Sequence, residues 1–322
     1  MPFYNQNTTA DIVAADVAAQ IEGKVILTTG VSSGTLGATF VESIAQHRPA
    51  LLILAGRSLT KIQETGKAIT AAFPAVTVRL LELDLSSLAA VRKAAEKVNA
   101  WDDIPHIDVL VNNAGVMGVP WSKTVDGIES TFEINHLAHF LFTNLIITKL
   151  LAAKNPRVVN VGSEGHRFNP VRFGDYNFHG GSAYNKWQAY GQSKTANMLF
   201  SVSLAKKLGG RLKSYCLHPG FSGTHLADHI DWQQEQVAIQ EVEQVLGNET
   251  GPIEFRSPAH CAATHVYAAF DPALEAHNGG YLLNCHVADP FVDTVKPWGT
   301  SEVEAEKLWR LSEKLVEQKF TY

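Results

Sequence analysis

Tyr190 and Lys194 stand four positions apart in the run Tyr190-Gly191-Gln192-Ser193-Lys194. On a helix that spacing puts both side chains on one face, one turn apart. Tyrosine titrates near 10 and is poorly tuned for acid–base work at neutral pH. A nearby ammonium favours the phenolate. At about 4 Å and an effective dielectric near 20 the attraction is about 4 kcal/mol, or roughly 3 pKa units. The spacing alone fits equally well a core tyrosine beside a surface lysine on an amphipathic helix.

A second group lies near the N-terminus, where Thr29-Gly30-Val31-Ser32-Ser33-Gly34-Thr35-Leu36-Gly37 separates an apolar run from a helical pattern. Glycines in such a turn let the backbone approach a pyrophosphate, whose charge then faces the helix N-terminus. Gly30, Ser32, Ser33, Gly34, Leu36 and Gly37 are therefore candidates for a dinucleotide cradle. The next apolar run ends Leu54-Ala55-Gly56-Arg57-Ser58, and no acid appears before Glu64. An acid at that place would hold a ribose 2′-hydroxyl, whereas an arginine accepts a 2′-phosphate. Arg57, assisted by Ser58 or Lys61, points to NADP(H) rather than NAD; the bland alternative is a surface arginine at a strand end.

The elements that must position these groups alternate along the chain. Lys24–Thr29, Leu51–Ala55, Val76–Leu83, Asp108–Val111, Arg157–Gly162, Leu212–Leu217 and Gly280–Leu283 read as strands, with helical patterns between most of them. This implies an α/β fold: a doubly wound parallel sheet, Rossmann-like, of about seven strands with helices on both faces. Residues 1–20 read as an N-terminal arm with a short amphipathic helix capped near Thr8 or Thr9, not as a signal peptide. Residues 21–322 read as one domain, including a substrate-lid segment at about 222–256 whose stretch 231–249 has a helical pattern.

Charged residues make up 18% of the 322 and apolar residues 45%, with a formal charge of −5. Such a chain can bury a large core, and its scattered Lys and Arg make nucleic acid an unsuitable partner. Cys216, Cys261 and Cys285 form no CxxC pair and leave an odd count, which argues for a reducing, cytoplasmic setting and against zinc or disulfides. His225 and His229, with Asp228 and Asp231 nearby, have spacing that could grip an ion, but no further ligand motif accompanies them. No metal is expected. The most membrane-like stretch, Leu137–Ala153, is interrupted by His139, Asn144 and Lys149 and reads as a buried helix rather than a span.

Asp84-Leu85, Asn112-Asn113-Ala114-Gly115, Asn135, Ser163, Tyr190 with Lys194, and Pro219-Gly220 with Thr224 follow one another in this order. Together with the glycine turn, the set resembles the short-chain dehydrogenase/reductase family over about residues 22 to 290. Asn135-His136-Leu137-Ala138-His139-Phe140-Leu141, Ser163-Glu164-Gly165-His166, the long spacing from Ser163 to Tyr190, and Leu308-Trp309-Arg310-Leu311-Ser312-Glu313-Lys314-Leu315 resemble its retinol-dehydrogenase and WW-domain-oxidoreductase branch. One departure stands out. The common pattern TGxxxGxG would place its last glycine at position 36, which is Leu36 here, and Gly37 follows.

The resemblance implies that Tyr190 is the general acid–base, that Lys194 also holds the nicotinamide ribose, and that Ser163 hydrogen-bonds the substrate oxygen. It implies further that Asn135 supports a water chain to Lys194. Asp84 would fit the adenine side and Asn112 the adenosine-ribose region, Leu85, Ala114 and Gly115 would also bind the cofactor, and Pro219, Gly220 and Thr224 would flank the nicotinamide amide and phosphate. His166 falls either near the active-site serine or in a structural hydrogen bond. Substrate contacts are expected from Met117–Trp121, the Arg167–Trp187 insertion, Phe221 and the stretch after Thr224, with Met117, Trp121, Phe173 and Trp187 as apolar candidates. The leading reading is an NADP(H)-dependent oxidoreductase acting on a small apolar carbonyl or alcohol. Its alternatives are a redox-neutral isomerase, cyclase or pathway enzyme on the same scaffold, and a non-catalytic cofactor-binding protein. A homodimer would pair the helices Leu137–Ala153 and Gln188–Leu208 across a two-fold axis. If Arg57 forks onto a 2′-phosphate, Arg57→Ala weakens NADPH by roughly 10–100-fold and NADH hardly at all; equal losses in a fluorescence titration would refute the role.

Overall fold

The computed structural model describes residues 4–248 and 254–322, so part of the expected lid segment lies outside the described residues. Six of the apolar runs form parallel strands: β1 (Val25–Thr29), β2 (Leu51–Gly56), β3 (Thr77–Glu82), β4 (Val109–Asn112), β5 (Arg157–Val161) and β6 (Lys213–His218). A short pair, β7 (Phe221–Ser222) and β8 (Phe255–Arg256), lies apart from this sheet. β9 (Tyr281–Leu283) then joins β6 in parallel, and β10 (His286–Val287) returns antiparallel at the edge. The order is β10-β9-β6-β5-β4-β1-β2-β3.

The sheet thus has eight strands where about seven were expected. The additional one is β10, which turns back through Asn284 and Cys285, both at positive φ. A two-residue strand carries no periodic signal. β1 and β5 are buried at every position, because helices cover both faces and leave no polar side to alternate with. On one face lie the helices Leu88–Asn99, Ala138–Leu145, Lys186–Leu208 and Glu302–Leu315. On the other lie Ala10–Asp16, Leu36–Ala45, Leu59–Ala72 and Pro258–Phe270. Hydroxyls of Thr35, Ser87 and Ser301 each accept the backbone N–H three residues on and so start their helices, a cap contributing about 1 kcal/mol. Thr9 precedes the first helix without such a bond.

The stretch Leu137–Ala153 starts at the last residue of a π-turn over Glu133–Leu137 and continues as a helix over Ala138–Leu145 and a short helix over Ile147–Leu151. Among the described residues no helix is long and apolar enough to cross a membrane. The face expected to meet a second subunit is covered in part from within the chain. Trp309, on the C-terminal helix, sets its ring edge-on to Phe140 at 4.9 Å and lies 6.2 Å from Phe200. His136 Nε2 meets Ser312 Oγ at 2.9 Å beneath it. The indole of Trp309 is 2% exposed, so Trp309→Ala should cost about 3–5 kcal/mol, read as a lowered urea midpoint with an unchanged slope.

Candidate active site

β1 has β2 on one side and β4 on the other, so the chain reverses direction across the sheet between β1 and β4. Ligands bind at such a switch point, beyond the carboxyl ends of the strands. A cleft of about 880 Å³ opens there. Gly30, Ser32, Ser33 and Leu36 line one end, Ala114 and Gly115 the floor, Ser163, Tyr190 and Lys194 the far wall, and Pro219, Gly220 and Thr224 the adjoining loop.

The glycine turn keeps its approach despite Leu36. Gly30 adopts φ +72°, and a Cβ there would lie 2.7 Å from Ala114 Cα. At Gly37 a Cβ would meet Asn113 Nδ2 at 2.5 Å and the Gly30 carbonyl at 2.6 Å. The close helix packing that a glycine at position 36 would provide therefore falls to Gly37, and Leu36 lines the cleft instead. The N-terminus of the helix Leu36–Ala45 faces this end, with the Ser32 and Ser33 side chains beside it. Such a cradle fits the pyrophosphate of a dinucleotide.

Several expected contacts stand elsewhere. Arg57 is exposed at the end of β2, while Lys61 and Glu64 line the cleft. Ser58 is engaged as a cap, its Oγ 3.5 Å from the Lys61 N–H. Asp84 accepts from the N–H and hydroxyl of Ser86 at 3.0 and 2.7 Å, closing a local turn, and Leu85 packs in the core. Asn112 donates to Thr143 Oγ1 at 3.0 Å and Asn160 Oδ1 at 2.9 Å. It fastens β4 to its neighbours and does not line the cleft. Short polar residues at strand ends form such turns and bridges readily, which their spacing does not reveal.

Asn135 also sits behind the cleft wall. Its Oδ1 accepts from Val116 N at 2.8 Å, and its Nδ2 donates to Val116 O and to Ser193 Oγ, each at 2.9 Å. The side chain is thus a bracket between the loop after β4 and the helix bearing Tyr190. It lies in the π-turn, a distortion frequent at functional sites. A linked node was not anticipated. Thr29 Oγ1 accepts from the N–H groups of Asn113 and Ala114 at 3.0 and 2.9 Å, so its hydrogen is free for His139 Nε2 at 3.0 Å. His139 Nδ1 then faces the Asn135 carbonyl at 3.2 Å. Burial pulls the His139 pKa down to about 4, keeping the ring neutral. The i,i+4 spacing of Asn135 and His139 was the one signal available for this link.

Ser163, Tyr190 and Lys194 are all buried. The Ser163 hydroxyl accepts from Gly165 N at 3.0 Å and lies beside the Tyr190 ring, both lining the cleft. The Lys194 ammonium donates to the Val161 carbonyl at 2.8 Å and stands 5.5 Å from the centre of the Tyr190 ring. The expected depression of the tyrosine pKa is reversed here. Burial pushes Tyr190 up to about 12, against a smaller opposing effect of the Ser163 hydroxyl. Burial likewise brings Lys194 down to about 8. Desolvation outweighs attraction because the ammonium is turned toward a backbone carbonyl.

The remaining wall is largely apolar, with Glu164, Arg167, His218 and His229 among its polar members. Met117, Phe168, Trp187, Phe221, Trp232 and Ile239 line it. Two expected members do not. Trp121 covers Gly181, and Phe173 packs against the core. The helix Trp232–Val245 closes over this end, held by Arg167 Nε to Glu243 Oε1 at 2.7 Å and by Trp187 Nε1 to Glu235 Oε2 at 2.8 Å. His229 Nε2 meets the Met117 carbonyl at 2.9 Å, and the His225 side chain lies outside the described residues. Among the described residues no group of three His, Cys, Asp or Glu is placed to hold a metal.

The family model described as short chain dehydrogenase matches residues 24–235. Retinol dehydrogenase 11 of Homo sapiens is 33% identical over 294 residues, covering 91% of this chain and 86% of that protein. The WW domain-containing oxidoreductase of Homo sapiens is 33% identical over 323 residues, covering 98% of this chain and 73% of its own. Among solved structures, a protein from Mycobacterium paratuberculosis superposes with a TM-score of 0.70 at 29% identity, covering 96% of this chain and 98% of that one. A short chain dehydrogenase from Escherichia coli CFT073 complexed with NADPH superposes at 0.60 and 20% identity, covering 83% and 98%, a likeness of fold.

Gly165 faces the Tyr190 ring so closely that a Cβ there would lie 2.7 Å from Cε1. Gly165→Ala should displace the phenol and lower kcat by roughly 100-fold, while cofactor affinity, measured by fluorescence, changes little.

Proposed function

This chain belongs to the short-chain dehydrogenase family, and from that premise we propose that it is an NADP(H)-dependent oxidoreductase interconverting an apolar carbonyl compound and its alcohol. The observation that carries the reading is that Ser163 and Tyr190, with Lys194 one turn on, open into the same cleft as the Gly30 turn. Lys61 near that turn supports the phosphate-bearing cofactor, as does the NADPH in the Escherichia coli fold neighbour. The apolar wall of Met117, Phe168, Trp187 and Trp232 supports an apolar substrate.

When bound, the nicotinamide supplies or accepts the hydride. The protein's own groups handle the proton. Tyr190, kept protonated by burial, donates to the carbonyl oxygen as negative charge develops there. Ser163 accepts from Gly165 N and donates its hydrogen to that same oxygen, an oxyanion-type stabilisation. Lys194 remains charged below a pH of about 8 and offsets the phenolate left behind. Asn135 and His139 hold the floor against the catalytic helix. Water is kept from the reacting atoms by the helix Trp232–Val245.

A panel of apolar aldehydes and ketones, followed at the cofactor absorbance, tests the reading. Wild-type protein should oxidise NADPH with at least one, and Tyr190→Phe should abolish turnover while leaving NADPH binding nearly intact. Because Lys194 loses its proton as pH rises, kcat/KM for reduction should fall above a pH near 8, and this limb should vanish from the residual activity of Lys194→Arg. NADPH binding without turnover of any carbonyl would overturn it.

A further inference from the structure

His166 does not line the cleft, yet five hydrogen bonds meet on it, the first from its backbone N–H to the Ser163 carbonyl at 3.1 Å. Its Nδ1 lies 2.9 Å from the Ser163 carbonyl, and its Nε2 accepts from Lys296 N at 3.1 Å. Its own carbonyl accepts from Thr195 Oγ1 on the helix bearing Tyr190 and from Trp298 Nε1, each at 3.1 Å. Because Nε2 accepts, Nδ1 carries the hydrogen and donates it to Ser163; the ring is neutral and in one tautomer. The residue is completely buried, and Tyr281 stands edge-on to the ring at 5.3 Å.

We propose that His166 is a positioning residue for Ser163, its Nδ1–H holding the Ser163 carbonyl while Lys296 N–H holds the ring in the tautomer that makes this bond. The inference rests on the oxidoreductase reading above and deepens it. The Ser163 backbone determines where its hydroxyl points, and that hydroxyl is already constrained on one side by Gly165 N. Anchoring the carbonyl on the other side leaves Oγ one direction, toward Tyr190. The C-terminal segment Lys296–Trp298 thereby supports the active site without touching it.

Two substitutions separate the two halves of the ring. An asparagine amide reaches the place of Nδ1 and can still donate to Ser163; a glutamine amide reaches the place of Nε2 and meets only Lys296. Each removes one hydrogen bond, so a merely structural role lowers stability and activity alike in both. The proposal instead expects His166→Asn to keep kcat within about threefold of wild type and His166→Gln to lose roughly 10–100-fold in kcat, with KM and NADPH affinity nearly unchanged in both. Ring-carbon NMR of isotope-labelled tyrosine gives a readout that needs no turnover. The Tyr190 resonance, assigned by its loss in Tyr190→Phe, reports the surroundings of the phenol beside Ser163 and should shift in His166→Gln but not in His166→Asn. Equal kcat losses, or a resonance unmoved in His166→Gln, would overturn the positioning role. Absence of wild-type turnover would overturn the oxidoreductase reading alone, since the resonance still tests the placement of Ser163.

Discussion

The helix Lys186–Leu208 runs through the interior with polar side chains that cannot reach water, and the satisfaction of those side chains organises the molecule. Gln192 accepts from Arg172 N and donates to Tyr176 O. Ser193 bonds the Tyr190 carbonyl, Lys194 and Asn197 share the Val161 carbonyl, and Thr195 reaches the carbonyls of His166 and Asn169. Ser201 accepts from Asn160, and Ser203 donates to Ala305 O. An unpaired polar group at such depth costs about 1–3 kcal/mol. Ser193 closes within the helix itself, while Lys194, Asn197 and Ser201 tie it to β5 and Gln192, Thr195 and Ser203 to other segments.

That constraint links the two ends of the cleft. Asn135 and Ser193 connect the helix to the loop after β4, and His139 and Thr29 connect that loop to the strand that leads into the glycine turn. The glycine turn and the Ser163–Tyr190–Lys194 wall are thus held by one continuous polar network. A displacement of the helix would unpair groups at both ends. Low-dielectric surroundings strengthen such a network when every member is satisfied.

The same burial sets the chemistry. Desolvation keeps the Tyr190 phenol protonated and draws Lys194 toward neutrality, the protonation states the proposed chemistry needs. An exposed Tyr–Lys pair at the same spacing would behave in the opposite way. The histidines follow suit: His139, His166 and His218 are all held well below their ordinary pKa by burial, and they act as neutral hydrogen-bonding groups.

Apolar runs at strand length, helical patterns between them and glycines at the first turn were enough to give the parallel sheet, because burial on both faces leaves a signal in local composition. The order of Gly30, Ser163, Tyr190 and Lys194 likewise identified the residues that line the cleft. What the order could not convey was which polar side chains turn inward to bind the protein itself. Asn112, Asn135 and Asp84 engage neighbouring strands, loops or their own turn, and Thr29, His139 and His166 assume bracing roles through partners far along the chain or a turn away. Hydrogen-bond direction and desolvation depend on what surrounds a group in three dimensions. For that reason the sequence determined the elements and the reactive residue types, while the tertiary packing decided their protonation, their partners and which face of each met the cleft.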